Sequence, residues 1–189
     1  MQLSNAVSDA LVAVMSIAVF FHFFARMSFN DKIVWGLFFS IVASAAVAGT
    51  CRFLGMAEVV PLHQSLTSLG GTLGVVALMA GIWTLVNQQT ASRGLLIAIV
   101  VAGLALFVLF LDVRFKPFEQ VVQSLGMLVG MCFAVWGMTK KYQKSIWIVA
   151  GIMVIALGTQ VLNRLLPFNP TDVYHYSLVA MMYCFGRAV

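Results

Sequence analysis

Long apolar stretches separated by short polar segments fill this chain from one end to the other. Uncharged runs at residues 33–51, 94–111 and 145–163 each reach 18 or 19 residues. About 20 apolar residues in an α-helix span a hydrocarbon core of roughly 30 Å. The pattern therefore predicts seven transmembrane helices, at residues 3–27, 32–55, 60–87, 94–112, 117–139, 144–165 and 170–187.

The segments between these helices are too short for a soluble domain. Backbone groups in lipid must be paired internally, so a compact helical bundle is the expected architecture. We predict an all-α integral membrane bundle, with one seven-helix transmembrane domain over residues 1–189. The first helix is expected to be retained, because it lacks a basic leading region, carries Asp9 early and precedes six further spans.

Composition and charge agree with a membrane protein and predict its orientation. Hydrophobic residues make up 62% of the chain and charged residues 9%. The side with the first, third and fifth loops and the C-terminus has seven basic residues against Asp31, whereas the other side has four against five acidic residues. The positive-inside rule then puts the N-terminus outside and the C-terminus in the cytoplasm, as in a bacterial inner-membrane protein. The net charge of +5 reflects topology and anionic lipid headgroups, not nucleic acid.

The chain also repeats itself. Residues 61–70 (PLHQSLTSLG) align without gaps onto residues 117–126 (PFEQVVQSLG), an offset of 56 residues. A weaker third copy brings His175 onto Glu119 at the same offset, or Asp172 if Pro170 is the anchor. We interpret this pattern as one leading helix followed by three parallel hairpins related by an axis along the membrane normal.

Such a repeat has a chemical consequence, because equivalent positions lie at equal depth and converge on the axis. His63, Glu119 and one or both of Asp172 and His175 would face one another near the outer surface. Imidazoles with carboxylates are typical ligands of zinc or non-haem iron. We therefore predict a site for zinc or another divalent metal, with all four residues as candidate ligands and the two carboxylates as candidate catalytic groups.

A structural alternative exists for the same positions. Pro61, Pro117 and Pro170 are typical of a first helical turn, which puts His63, Glu119 and Asp172 at the third helical position. A carboxylate there caps free backbone amides and meets the positive end of the helix dipole. Capping thus explains Glu119 and Asp172, but it does not explain His63.

The two terminal helices carry a family resemblance. Residues 168–176 (FNPTDVYHY), residues 183–188 (YCFGRA) and the early pair Ser8 and Asp9 resemble a poorly characterised family of small bacterial seven-helix membrane proteins. More remotely, the layout resembles the superfamily of alkaline ceramidases and progestin/adipoQ receptors. That resemblance implies seven helices around a zinc held by three histidines, an aspartate and a serine. The chain departs from it at Val179, where the second histidine of the last helix would stand.

Three classes of function remain open. In the favoured one, a metal held by His63, His175 and a carboxylate activates water to hydrolyse a lipid amide or ester, with Glu119 or Asp172 as general base. The second is a non-catalytic membrane subunit or receptor, including one in which the two histidines hold a haem. The third is a pathway for a small solute or a proton. Membrane lipids are the expected partners, and a homo-oligomer or a larger membrane complex is left open.

Overall fold

The computed structural model describes residues 3–159 and 169–189, and every regular element in them is helical. Each predicted helix has an observed counterpart whose ends agree within a few residues, although the predicted sixth helix beyond residue 159 lies outside the described residues. The seven helices are α1 Leu3–Phe24, α2 Phe29–Phe53, α3 Ala57–Val86, α4 Arg93–Leu109, α5 Lys116–Thr139, α6 Ser145–Leu157 and α7 Pro170–Ala188.

Local sequence signals set the beginnings of these helices. The hydroxyl of Ser28 accepts a hydrogen bond from the Asp31 amide at 3.3 Å, and that of Ser92 accepts from the Leu95 amide at 3.1 Å. The Asn169 side chain caps α7 in the same way. These residues satisfy amides that lack a partner within the helix. The first-turn prolines are also observed, at Pro61, Pro117 and Pro170.

Four helices, α1, α2, α3 and α5, are long and apolar enough to cross a membrane, by length and composition. The helices α4 and α6 are apolar but shorter in the described residues. This pattern is compatible with a membrane protein. It also agrees with the seven-helix prediction, since all seven segments are helical.

Six of the helices form a closed ring. Going around it, α1 packs against α2, α2 against α3, α3 against α5, α5 against α6, α6 against α7, and α7 against α1. The helix α4 lies outside this ring, against α3 and α2, and buries little more than Ile99 and Gly103. Three equivalent hairpins would require α4 to pair with α5 as α2 pairs with α3. The predicted parallel repeat is therefore not confirmed.

The ring is filled differently at its two ends. At the end formed by the C-terminal parts of α1 and α7 and the start of α2, the side chains of Phe24, Trp35, Phe39 and Phe185 are almost completely buried. The Phe24 ring lies 4.7 Å from the Trp35 ring and 5.1 Å from the Phe39 ring, between centroids. We call this group the aromatic end. The opposite end of the ring contains the candidate site.

Candidate functional site

Buried polar side chains meet where the first turns of α1 and α7 lie side by side. Ser4, Asn5, Ser8 and Asp9 recur at helical spacing on α1, so they share one face. This face packs against α7, which contributes Asp172 and His175. Apart from Ser4, all of these residues are buried. The ring therefore contains a polar cluster that links two helices at opposite ends of the chain.

Asp172 is the anchor of this cluster. Its Oδ1 accepts the hydroxyl of Ser8 at 2.6 Å, and its Oδ2 accepts the hydroxyl of Ser4. A second link joins the same helices, because the Asn169 amide donates to Asn5 Oδ1 at 2.8 Å. Both carboxylate oxygens of Asp172 are thus used to hold α7 on α1.

His175 lies one turn further along α7 and has both ring nitrogens in contact with α1. Its Nδ1 lies 2.9 Å from Ser8 Oγ, and its Nε2 lies 3.2 Å from Asp9 Oδ1. The imidazole is therefore oriented by two side chains of the same helix. Such double orientation is typical of a histidine with a defined protonation state.

A cavity of about 210 Å³ lies beside this pair and is enclosed by α1, α2, α3, α5 and α7. Its other walls are mostly apolar, with residues such as Val42, Leu178 and Met181. The α3 wall includes a wider π-helical turn at Gly70–Gly74, a feature often found at functional sites. The polar lining residues are Asp9, His63, Thr67, Gln123, Tyr174 and His175.

His63 enters the cavity wall from α3. Its Nδ1 lies 3.0 Å from the carbonyl oxygen of Ala45 on α2, so Nδ1 carries the proton and donates it. In the neutral ring, Nε2 is then an acceptor. The structure thus brings two of the four predicted site residues, His63 and His175, to one cavity.

Glu119, the third of these predicted residues, does not line the cavity. Its Oε2 lies 2.5 Å from Lys116 Nζ, and this ammonium also donates to Ser68 Oγ at 2.6 Å, linking the start of α5 to α3. One turn later on α5, Gln123 lines the cavity in its place. Glu119 therefore has a structural partner at the position where the repeat predicted a ligand.

The predicted metal site is not confirmed. They contain no group of three or more histidine, cysteine, aspartate and glutamate side chains arranged to hold a metal ion. The carboxylate of Asp172 accepts hydrogen bonds from two hydroxyl groups. The two ring nitrogens of His175 contact Ser8 and Asp9. These side chains do not fit a metal centre in this arrangement, and zinc, another divalent metal and haem stay predictions from the sequence.

The residues that sequence reasoning did not assign to the site are Ser8, Asp9 and Gln123. Asp9 had a signal, because an acidic residue within an apolar span is expensive and usually functional. The family resemblance also included Ser8 and Asp9. Gln123 had none, since an uncharged amide on an apolar helix is compatible with many roles.

The fold is an all-helical bundle that is compatible with a membrane protein. Near one end it encloses a cavity whose wall includes the ionisable side chains of Asp9, His63 and His175. The chain belongs to a family of unknown function, DUF6962, which matches residues 4–189. No curated protein and no solved structure matches it.

Proposed function

We propose that this chain is an integral membrane protein that binds a small amphiphilic molecule in the cavity of the helix ring. One observation carries the proposal: the cavity has an ionisable wall at Asp9, His63 and His175, while most of its remaining lining is apolar. Ionisable groups inside apolar helices are costly and commonly mark a binding site or a transfer path. A ligand with a polar head and an alkyl chain matches both parts of this wall.

The outer surface of the bundle supports placement in a membrane. Large apolar side chains are exposed along the two least buried helices, for example Ile97 and Val101 on α4 and Leu125 and Leu128 on α5. In water such a surface would promote association, whereas lipid covers it. With the charge bias that puts the N-terminus outside, the cavity lies toward the outer leaflet of what we propose to be a bacterial inner membrane.

The size of the cavity limits the ligand. Pockets for drug-sized molecules measure about 300–1,000 Å³, and this cavity measures about 210 Å³. It suits a polar head with a short chain, or the head of a longer lipid whose chain continues into the bilayer. Half-exposed Thr67 and Tyr174 in the cavity wall are consistent with an opening on that side.

A pair of variants on α2 tests the proposal. Val42 lines the cavity, whereas Val47 is exposed on the outer surface of the same helix. In detergent, six-carbon amphiphiles should raise the thermal unfolding midpoint of the wild-type protein, because a ligand that binds only the folded state stabilises it. Val42→Phe should abolish this rise, and Val47→Phe should retain it. Equal responses from both variants would place the binding outside the cavity.

Hydrolysis of a lipid amide or ester is a second candidate, and His63 favours it. This imidazole lines the cavity with Nδ1 held by the Ala45 carbonyl, which leaves Nε2 to accept a proton from water. Because the described residues do not fit a metal centre, the step that we propose uses this base alone. Purified protein should release fatty acid from a short-chain lipid ester or amide, and His63→Gln should stop the release. An activity that a chelator abolishes would restore the metal-dependent form of the hypothesis.

A further inference from the structure

One oxygen of the Asp9 carboxylate has no hydrogen-bond partner in the part of the chain that the structure describes. The side chain is almost fully buried, with 3% of its surface exposed, and it lines the cavity. Its Oδ1 contacts His175 Nε2, but its Oδ2 contacts no donor there. Because buried polar atoms are nearly always paired, the cavity is expected to supply a donor.

The space around Oδ2 is kept open by a glycine. A Cβ atom at Gly49 on α2 would overlap Asp9 Oδ2, and it would lie 3.0 Å from His63 Cε1. Only the absence of a side chain at this position lets the carboxylate lie against α2 next to the imidazole of His63. The unpaired oxygen therefore lies in a preformed part of the cavity wall.

The hydrogen bonds of His175 determine what Oδ2 can do. Ser8 Oγ lies 2.6 Å from Asp172 Oδ1 and 3.1 Å from the carbonyl oxygen of Asn5, and both are acceptors. Its only proton goes to one of these two oxygens, so Ser8 Oγ accepts from Nδ1–H of His175. The contact between Nε2 and Asp9 Oδ1 then holds a single proton, on either the imidazole or the carboxyl group. In both cases Asp9 Oδ2 carries no proton and is an acceptor. The missing partner must therefore be a donor.

The charge of the cluster indicates which kind of donor fits. With one proton between them, Asp9 and His175 are neutral as a pair, while Asp172, which accepts two hydroxyls, carries one negative charge. Within residues 3–159 and 169–189, no lysine or arginine forms an ion pair with either aspartate. Arg52 acts on Asp9 only through space, from an exposed position at the end of α2 with its guanidinium over the Phe53 ring. A cationic donor would offset this buried negative charge.

We propose that the ligand of this cavity is an amphiphilic primary amine, whose protonated head donates to Asp9 Oδ2 while its alkyl chain lies along the apolar wall. This inference rests on the proposed ligand-binding function and names the chemical class of the ligand. An ammonium group has three donors and no acceptor, so it pairs with an acceptor oxygen in either protonation state of the Asp9–His175 pair.

Three probes with the same chain length test the inference on the wild-type protein: hexylamine, hexan-1-ol and hexanoate. Affinities are measured in detergent at neutral pH from the dependence of the unfolding midpoint on probe concentration. Hexylamine should bind about tenfold or more tightly than hexan-1-ol, because charge-assisted hydrogen bonds are roughly twice as strong as neutral ones. Hexanoate should show no binding. The comparison needs no variant, so it does not depend on the folding of any substitution.

Two aspartate variants then locate the effect. Asp9→Asn should reduce the preference for hexylamine over hexan-1-ol at least threefold, because it removes the acidic group. Asp31→Asn is the matched control, since Asp31 is also buried but accepts the Ala91 amide in the loop region at the far end of the bundle. It should leave the preference unchanged.

The remaining outcomes separate this inference from the proposed function. Equal binding of hexylamine and hexan-1-ol would overturn the amine and leave amphiphile binding in place. Preferred binding of hexanoate, or an amine preference that survives Asp9→Asn, would also overturn it. If none of the three probes binds, both the inference and the proposed function are wrong.

Discussion

The two ends of the helix ring differ in chemistry although the same helices build them. At the aromatic end, α1, α2 and α7 bury Phe24, Trp35 and Phe185 against one another. At the other end, α1 and α7 are joined by serine, aspartate and histidine side chains beside a cavity. Close packing at the aromatic end leaves no space for a ligand. At the polar end, the cavity and the unpaired oxygen of Asp9 are suited to binding one. Apolar packing and the polar side chains to which we assign ligand binding therefore lie at opposite ends of the ring.

This separation also bears on the transport hypothesis. A pathway across the bundle would have to pass through the aromatic end, where Trp35, Phe39 and Phe185 are 2% exposed or less. A cavity closed at one end favours binding or catalysis over passage. Alternating access would require these rings to move apart.

The largest effect is expected at the aromatic end. Trp35→Ala should lower the free energy of unfolding by about 3–5 kcal/mol, because it removes a buried ring and leaves a cavity. Denaturant unfolding in mixed micelles measures the change. Trp136→Ala is the control, since 49% of Trp136 is exposed, and it should cost much less. Similar losses in both variants would contradict the role of the aromatic end.

An intermediate effect should distinguish the two buried aspartates of the polar end. Asp172→Ala should lower the free energy of unfolding by about 2–3 kcal/mol, because Ser4 and Ser8 lose their shared acceptor. Asp9→Asn should lower it by only about 1 kcal/mol, because it alters one hydrogen bond to His175 while the other oxygen has no partner to lose. The same unfolding measurement applies to both variants. A larger cost for Asp9→Asn than for Asp172→Ala would reverse these assignments.

The smallest effect is expected for Glu119→Gln. The substitution removes an ion pair whose lysine is half exposed, which typically contributes below about 1 kcal/mol. Probe binding and any hydrolytic activity should stay unchanged, since Gln123 and not Glu119 lines the cavity. Loss of activity with intact folding would support the catalytic role that the repeat predicted for Glu119.

Much of the fold was predictable, but the site was predictable only in part. Apolar run lengths predicted all seven helices, because helical hydrogen bonds are local. The caps at Ser28 and Ser92 were seen only in the structure. His63 and His175 were assigned to one site through the repeat, and capping gave no other explanation for a histidine at such a position. Glu119 was assigned to the same site through the repeat, which predicts depth in the bundle but not the direction of a side chain. Its neighbour Lys116 decided that direction.

The sequence by itself determined the number and limits of the helices, the sign of the charge on each side, and the presence of costly polar groups in apolar segments. Only the tertiary structure decided that α4 lies outside the ring and that Asp9 meets His175 across most of the chain length. The physical reason is that these helices are apolar on most of their faces, as expected for the membrane placement that we propose. The pattern along a membrane helix therefore indicates weakly which face points inward, and the choice of neighbours depends on packing among all the helices at once.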